Sequence, residues 1–212
     1  MNNDCIDFYN LQAFFVYLDL TNHINKCFIA SPLFNISSLC EYFIGIGADI
    51  NAKSRNGITA LHSAALKNSK EIVQLLIALG ADISPKNIYG VTPLHFACES
   101  NTIDVVKQLI SSGADIKAKD NQGQSILFYA GTNENVEIFK YIFSLGFNIN
   151  ERNNNGHTVF HHAITNVRTE LIKFLIKNGA DINSKIEDGK APLHYAAFFN
   201  RKDLFDLLIS SG

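Results

Sequence analysis

Glycines recur through this chain at one fixed interval, and that interval constrains the fold more than any other feature. One series runs Gly57, Gly90, Gly123, Gly156, Gly189, and a second runs Gly47, Gly80, Gly113, Gly146, Gly179, Gly212. Two series in phase imply one supersecondary unit repeated along the chain, because a fixed period of about 20 to 50 residues is the mark of stacked repeats. A single unit cannot cover its own apolar face. Neighbours must stack to complete a core, so the array is the stable object.

The text between the glycines repeats as well. Gly57-Ile58-Thr59-Ala60-Leu61-His62, Gly90-Val91-Thr92-Pro93-Leu94-His95, Gly156-His157-Thr158-Val159-Phe160-His161 and Gly189-Lys190-Ala191-Pro192-Leu193-His194 are copies of one motif, and Gly123-Gln124-Ser125-Ile126-Leu127-Phe128 is a drifted one. Thr92 suits a helix N-cap and Pro93 the first helical position, where no intrahelical N–H bond is needed. The second helix of each unit, as in Glu71–Ile77, is apolar on a broad face and runs out at a glycine suited to a left-handed C-cap. Asn-Gly at 56–57 and 155–156 is the chemistry of a tight hairpin tip.

The motif closely resembles the ankyrin repeat, with its T-P-L-H-x-A signature and 33-residue length. The resemblance implies an all-α fold, an ankyrin-repeat solenoid of stacked helix-turn-helix units with short hairpin loops. The expected units are residues 48–80, 81–113, 114–146, 147–179 and 180–212 of one continuous array. Residues 1–47 are read as an N-terminal helical capping region with one shortened repeat. Thr21 takes the place of a terminal glycine and stands well short of one full period before Gly47, so the unit from Lys26 to Gly47 is expected to lack its hairpin finger. Its second helix is expected at Ser37–Ile46, with Ser31-Pro32 resetting the first. In this phase the segment resembles the amino-terminal caps of large protist ankyrin families.

Composition narrows the function classes. The chain is 47% hydrophobic and 18% charged, which provides for a buried core. Eighteen Lys plus Arg against twenty Asp plus Glu leave −2, and the pI is near 6.4, so no general footprint for nucleic acid or an anionic membrane is expected. Met1-Asn2-Asn3-Asp4 has no basic lead into an apolar stretch, and Phe14–Leu18 is far too short to span a bilayer. An intracellular protein, cytoplasmic or nuclear, is expected. Cys5, Cys27, Cys40 and Cys98 have irregular spacing with no C-x-x-C pair, so buried thiols are favoured over zinc or disulfides.

No catalytic motif is found, and the expectation is a non-enzyme with no cofactor and no metal. His62, His95, His161 and His194 recur with the period, but equivalent atoms in stacked units lie roughly 10 Å apart, too far to share one ion. The one local cluster is His157 with His161 and His162, and direct catalysis there would require bound metal. Asp49, Asp82, Asp115 and Asp181 follow the cap glycines, where Gly-Ala-Asp resembles the family consensus that ties one hairpin to the next. Lys53, Lys86, Lys119, Arg152 and Lys185 form a basic ladder just before the tips. It is read as ordinary surface charge, with steering of an acidic partner as the alternative.

Function is expected where the units differ. In ankyrin arrays that is the concave face of hairpin tips and first helices, and it implies a protein partner. Carried over, the candidate contacts are Arg55, Ile58, Leu66, Ile88, Tyr89, Val91, His157, Phe198 and Phe199. Leu66, Tyr89, Ile58, Ile88 and Val91 make one apolar patch. Phe198-Phe199 makes a second, unless these rings pack inside the last unit. Glu99-Ser100, Thr132-Asn133 and Thr165-Asn166 occupy the corresponding first-helix positions.

Two departures carry stability expectations. Where the resembled family has Gly between its helices, this chain has Asn68, Asn101, Glu134, Val167 and Asn200; with Gly131 inside a helix, residues 120–170 are expected to be the weak part. Leu204, Leu207 and Leu208 precede Gly212 with no further repeat to cover them. Either the natural chain continues, or this end docks on another molecule, including end-to-end self-association. The leading reading is a protein-binding scaffold; the alternative is a regulatory or substrate-recruiting arm of a larger enzyme.

Overall fold

The computed structural model describes residues 11–211 apart from Asn22, Ser100, Asn101, Glu134 and Val167. The expectations placed on Cys5, Ser100, Asn101, Glu134, Val167 and Gly212 therefore lie outside the described residues. Those described are helical, with no β-strand and one antiparallel bridge, Lys119 to Ser125. They fall in two compact units, one within 1–100 and 104–115, the other within 101–103 and 116–212.

In the first unit α1 (Leu11–Thr21), α2 (Ile24–Ala30), a 3-10 turn (Ser31–Phe34) and α3 (Ser37–Gly45) come first, over the segment expected to be the cap. They are followed by the pairs α4 (Ala60–Leu66) with α5 (Lys70–Ala78), and α6 (Pro93–Cys98) with α7 (Asp104–Ser111). First helices stack on first helices, α2 on α4 and α4 on α6, and second on second, α3 on α5 and α5 on α7. The cap carries its own aromatic core. Phe14, Phe28 and Phe43 are fully buried, with Phe14 edge-on to Phe43 at 5.6 Å and to Phe34 at 5.0 Å.

The connections before α2 and after α3 differ in length. Only residues 22 and 23 separate α1 from α2, whereas residues 46–59 join α3 to α4 and form a full hairpin. Ser31-Pro32 starts the 3-10 turn, and Asn35, at φ 57°, reverses the chain into α3.

The second unit holds α8 (Ile126–Thr132) with α9 (Val136–Ser144), α10 (Val159–Thr165) with α11 (Thr169–Lys177), and α12 (Pro192–Phe198) with α13 (Lys202–Ser211). α10 packs against both α8 and α12. Phe174 on α11 meets Phe139 and Phe143 of α9 edge-on at 5.9 and 5.8 Å.

Packing bears on two of the sequence expectations. Gly131 lies buried in α8, and a Cβ there would stand 2.6 Å from Val159 Cγ1, so the glycine is the residue that lets α10 approach. Its cost to helix propensity is the cost of a close contact. Leu204 and Leu208 are also covered, each 4% exposed, within a unit whose last pair is α12 and α13.

The period of aspartates proves to be a backbone tie. Asn51 Oδ1 accepts from the Asp82 N–H at 2.8 Å, Ser84 Oγ from Asp115 at 2.9 Å, and Asn150 Oδ1 from Asp181 at 2.7 Å. Asp82 and Asp181 turn their carboxylates back on their own loops, to the Ser84 and Asn183 N–H groups. Asn150 also donates from Nδ2 to the Gly179 carbonyl at 3.1 Å. Asn150→Ala loses both bonds, and an unfolding free energy lower by about 1 to 2 kcal/mol is expected in urea titration.

Candidate partner-binding surface

The fingers owe their shape to side-chain acceptors at one position of the repeat. Asn87 Oδ1 takes the N–H groups of Tyr89 and Val91 at 2.9 and 3.0 Å, Asp120 Oδ1 those of Gln122 and Gln124, and Asn153 Oδ1 those of Asn155 and His157. Ser54 Oγ does the lesser job of holding the Ile58 N–H. Short polar side chains that bond their own backbone two residues on are the usual turn makers. Sequence reasoning missed these residues, although Ser54, Asn87, Asp120 and Asn153 follow the same period as the glycines.

Adjacent fingers are joined by backbone. The Ile88 N–H donates to the Asn56 carbonyl at 3.0 Å in the first unit, and the Asn154 N–H to the Gln122 carbonyl at 2.9 Å in the second. Gly57 permits this approach: its φ is 73°, and a Cβ would meet Asn87 Cα at 2.9 Å. In the second unit Arg152 of the basic ladder is engaged by the scaffold, its Nη1 donating to the Lys185 and Gly156 carbonyls.

The histidines are scaffold. His62 Nδ1 receives the Thr59 N–H at 3.2 Å and lies 2.9 Å from its hydroxyl, so it acts as the third helical residue of a capping box. Nε2 is then left to donate to the Val91 carbonyl at 3.1 Å. His161 repeats the arrangement with Thr158 and the Ser184 carbonyl. Burial pushes His62 down to about 4, and burial with the neighbouring His157 charge does the same to His161. Burial lowers His162 as well, followed by His157. The His157 ring is half-buried, 5.6 and 5.8 Å from those of His161 and His162. With both His161 nitrogens engaged, the trio has no free ligand set. Among the described residues no group of three His, Cys, Asp or Glu is arranged to hold a metal ion.

Exposure sorts the candidate contacts. Ile88 is 53% exposed, Tyr89 61% and Leu66 51%; Arg55 is exposed and Ile58 half-buried. Val91 is corrected: it is 7% exposed and turned into the first unit, where its carbonyl receives His62. Asn133 is also buried, because its side chain holds the Asn135 N–H that opens α9. In the second unit Phe198 is 82% exposed and stands edge-on to Phe199 at 5.2 Å, so these rings are on the surface of their unit.

The family model for ankyrin repeats in three copies matches residues 28–120, 105–186 and 127–212. The chain belongs to the ankyrin repeat family. Its fold is similar to that of the crystal structure of the human ASB11 ankyrin repeat domain, with 23% identity and a TM-score of 0.77 over 87% of this chain and 83% of that one. No curated protein matches the chain in sequence. Ankyrin repeats are generally protein–protein interaction modules and typically non-catalytic. Among the described residues no helix is long and apolar enough to cross a membrane.

Proposed function

We propose that this ankyrin repeat protein is a non-enzymatic scaffold that binds a protein partner through its first two full fingers and the adjoining first helix. The observation that carries the reading is Ile88-Tyr89: two large apolar side chains, each more than half exposed, on a finger held by Asn87 and by the Ile88 N–H to Asn56 bond. Apolar surface that is held rigidly in solvent loses little conformational entropy on binding, and aromatic anchors of this kind dominate interface energetics. Leu66, Ile58 and Arg55 complete the surface. A reducing compartment fits the thiols: Cys27, Cys40 and Cys98 are buried and form no disulfide, and burial raises Cys27 to about 11.

In a titration of a purified partner, Ile88→Ala with Tyr89→Ala is expected to weaken binding at least about tenfold, with the unfolding midpoint unchanged. Unaltered affinity in the folded double variant refutes the surface. The second unit supports a second reading. Phe198, Phe205 and Ile209 are exposed at 82%, 37% and 59% on α12 and α13, a surface suited to self-association. Light scattering that finds only monomer across the working concentration range removes it.

A further inference from the structure

Three Asn-Gly pairs occur in the chain: Asn56-Gly57, Asn155-Gly156 and Asn178-Gly179. Each sets a side-chain amide before a backbone nitrogen whose residue has no Cβ to hinder approach, the pairing that most favours cyclisation of asparagine onto its own chain. All three asparagines are exposed, and each glycine N–H is held in a turn, by the Ser54, Asn153 and Ile176 carbonyls at 2.9, 3.0 and 3.2 Å. The nitrogen can attack only after the turn opens, so the pairs are separated by what else must break when it does. Asn178 closes α11 with its own side chain, Nδ2 donating to the Phe174 carbonyl at 2.7 Å. Asn56 is held through its backbone. Its carbonyl receives the Ile88 N–H at 3.0 Å, and a Cβ at Gly57 would stand 2.9 Å from Asn87 Cα of the next finger.

Asn155 has neither restraint. The bond between fingers that joins Ile88 to Asn56, and Asn154 to Gln122, would be repeated by Glu187 to Asn155, and these two residues do not form it. The facing finger stands further off, its nearest backbone atom, the Glu187 nitrogen, 3.5 Å from where a Cβ of Gly156 would lie. Arg152 spans the gap, Nη1 donating to the Gly156 and Lys185 carbonyls, and a long side chain follows a moving tip where backbone does not. The Asn155 N–H goes to Asn153 Oδ1, and among the described residues neither its carbonyl nor its side-chain amide has a hydrogen-bond partner. Finger 153–157 is thus clasped by backbone on one side only, through Asn154.

We infer that Asn155 is a site of hydrolytic modification, losing its side-chain nitrogen by cyclisation onto Gly156, while Asn56 and Asn178 are protected by the contacts that Asn155 lacks. When the tip opens, the Gly156 nitrogen gives its proton to water and bonds to Asn155 Cγ. The bond from Cγ to Nδ2 breaks, and Nδ2 takes a proton from water and leaves as ammonia. Water then opens the five-membered imide at either carbonyl, leaving isoaspartate or aspartate. One water is consumed and one ammonia released, with no change of oxidation state. The product puts a carboxylate on the tip of the finger that carries His157, and as isoaspartate it adds a methylene to the backbone of that turn. The inference is independent of the partner-binding reading.

The test is peptide mapping by mass spectrometry of the purified full chain during incubation at neutral pH, folded and in urea, with aspartate and isoaspartate at positions 56, 155 and 178 resolved by chromatography. In the folded chain Asn155 is expected to convert at least about fivefold faster than Asn56 or Asn178, the effect of about one net hydrogen bond. In urea the three are expected to convert within about twofold of one another, because each is followed by glycine and the fold no longer distinguishes them. Equal rates at the three positions of the folded chain, a faster rate at Asn56 or Asn178, or no conversion at Asn155 overturns the inference. A lead for Asn155 that persists undiminished in urea also overturns it, since the flanking residues rather than the finger contacts then set the order.

Discussion

Gly57→Ala is expected to cost about 3 kcal/mol, whereas Gly80→Ala is expected to cost about 1 to 2 kcal/mol. Both glycines have positive φ, 73° and 89°, so an alanine at either position is strained in the left-handed region by about 1 to 2 kcal/mol. The difference is what a Cβ meets. At Gly80 nothing lies within 4 Å, while at Gly57 the Asn87 Cα is at 2.9 Å and the Ile88 nitrogen at 3.2 Å. Those are backbone atoms of the next finger and cannot rotate away. Relief requires the fingers to separate, and that breaks the Ile88 to Asn56 bond. Urea unfolding of the two variants side by side measures the contrast. Equal losses refute the claim that finger contact, rather than local strain, determines the cost. Loss of partner binding is expected in Gly57→Ala before loss of helix, since the fingers are the first element disturbed.

Acidification is expected to destabilise the fold between pH 6.5 and 4 through His62 and His161. Each has its folded value near 4, below the ordinary 6.5, because burial disfavours its charged form by more than the bond to the Val91 or Ser184 carbonyl favours it. In the unfolded chain each takes up a proton near 6.5. Between those values the unfolded state binds more protons, so stability falls as pH falls through the window and levels below it. At about 1.4 kcal/mol per pH unit, each histidine accounts for roughly 3 kcal/mol at full effect. Glutamine is the informative replacement, since its carbonyl can accept the N-cap N–H at the same helical position without titrating. His62→Gln with His161→Gln is expected to flatten the decline in urea midpoint between pH 6.5 and 4. A decline as steep as that of the wild type refutes the assignment and leaves the carboxylates responsible.

The period made most of the scaffold legible. Thr59, Thr92 and Thr158 with their histidines, the cap glycines, and Asn68 and Asn200 at φ 57° and 52° behave as their residue types demand, because each acts on backbone within a few residues. Val91 and Asn133 were misplaced for a common reason. Both stand at positions that are solvated in a generic unit, and both are drawn inward by partners distant from their own turn: His62 reaches across 29 residues to Val91, and the extended connection at Asn133 buries its side chain beneath α9. Gly131 read as a weak point, because propensity is a property of the isolated helix, and the facing Val159 is invisible until the helices pack.

What is periodic and local could be read from the residues of this protein: helix starts and stops, turn chemistry and the family. Tertiary structure alone decided what the variable residues present. Whether an apolar side chain is anchor or core depends on the neighbour that reaches it, which is why Tyr89 stands in solvent while Val91, just beyond it in the same finger, is buried.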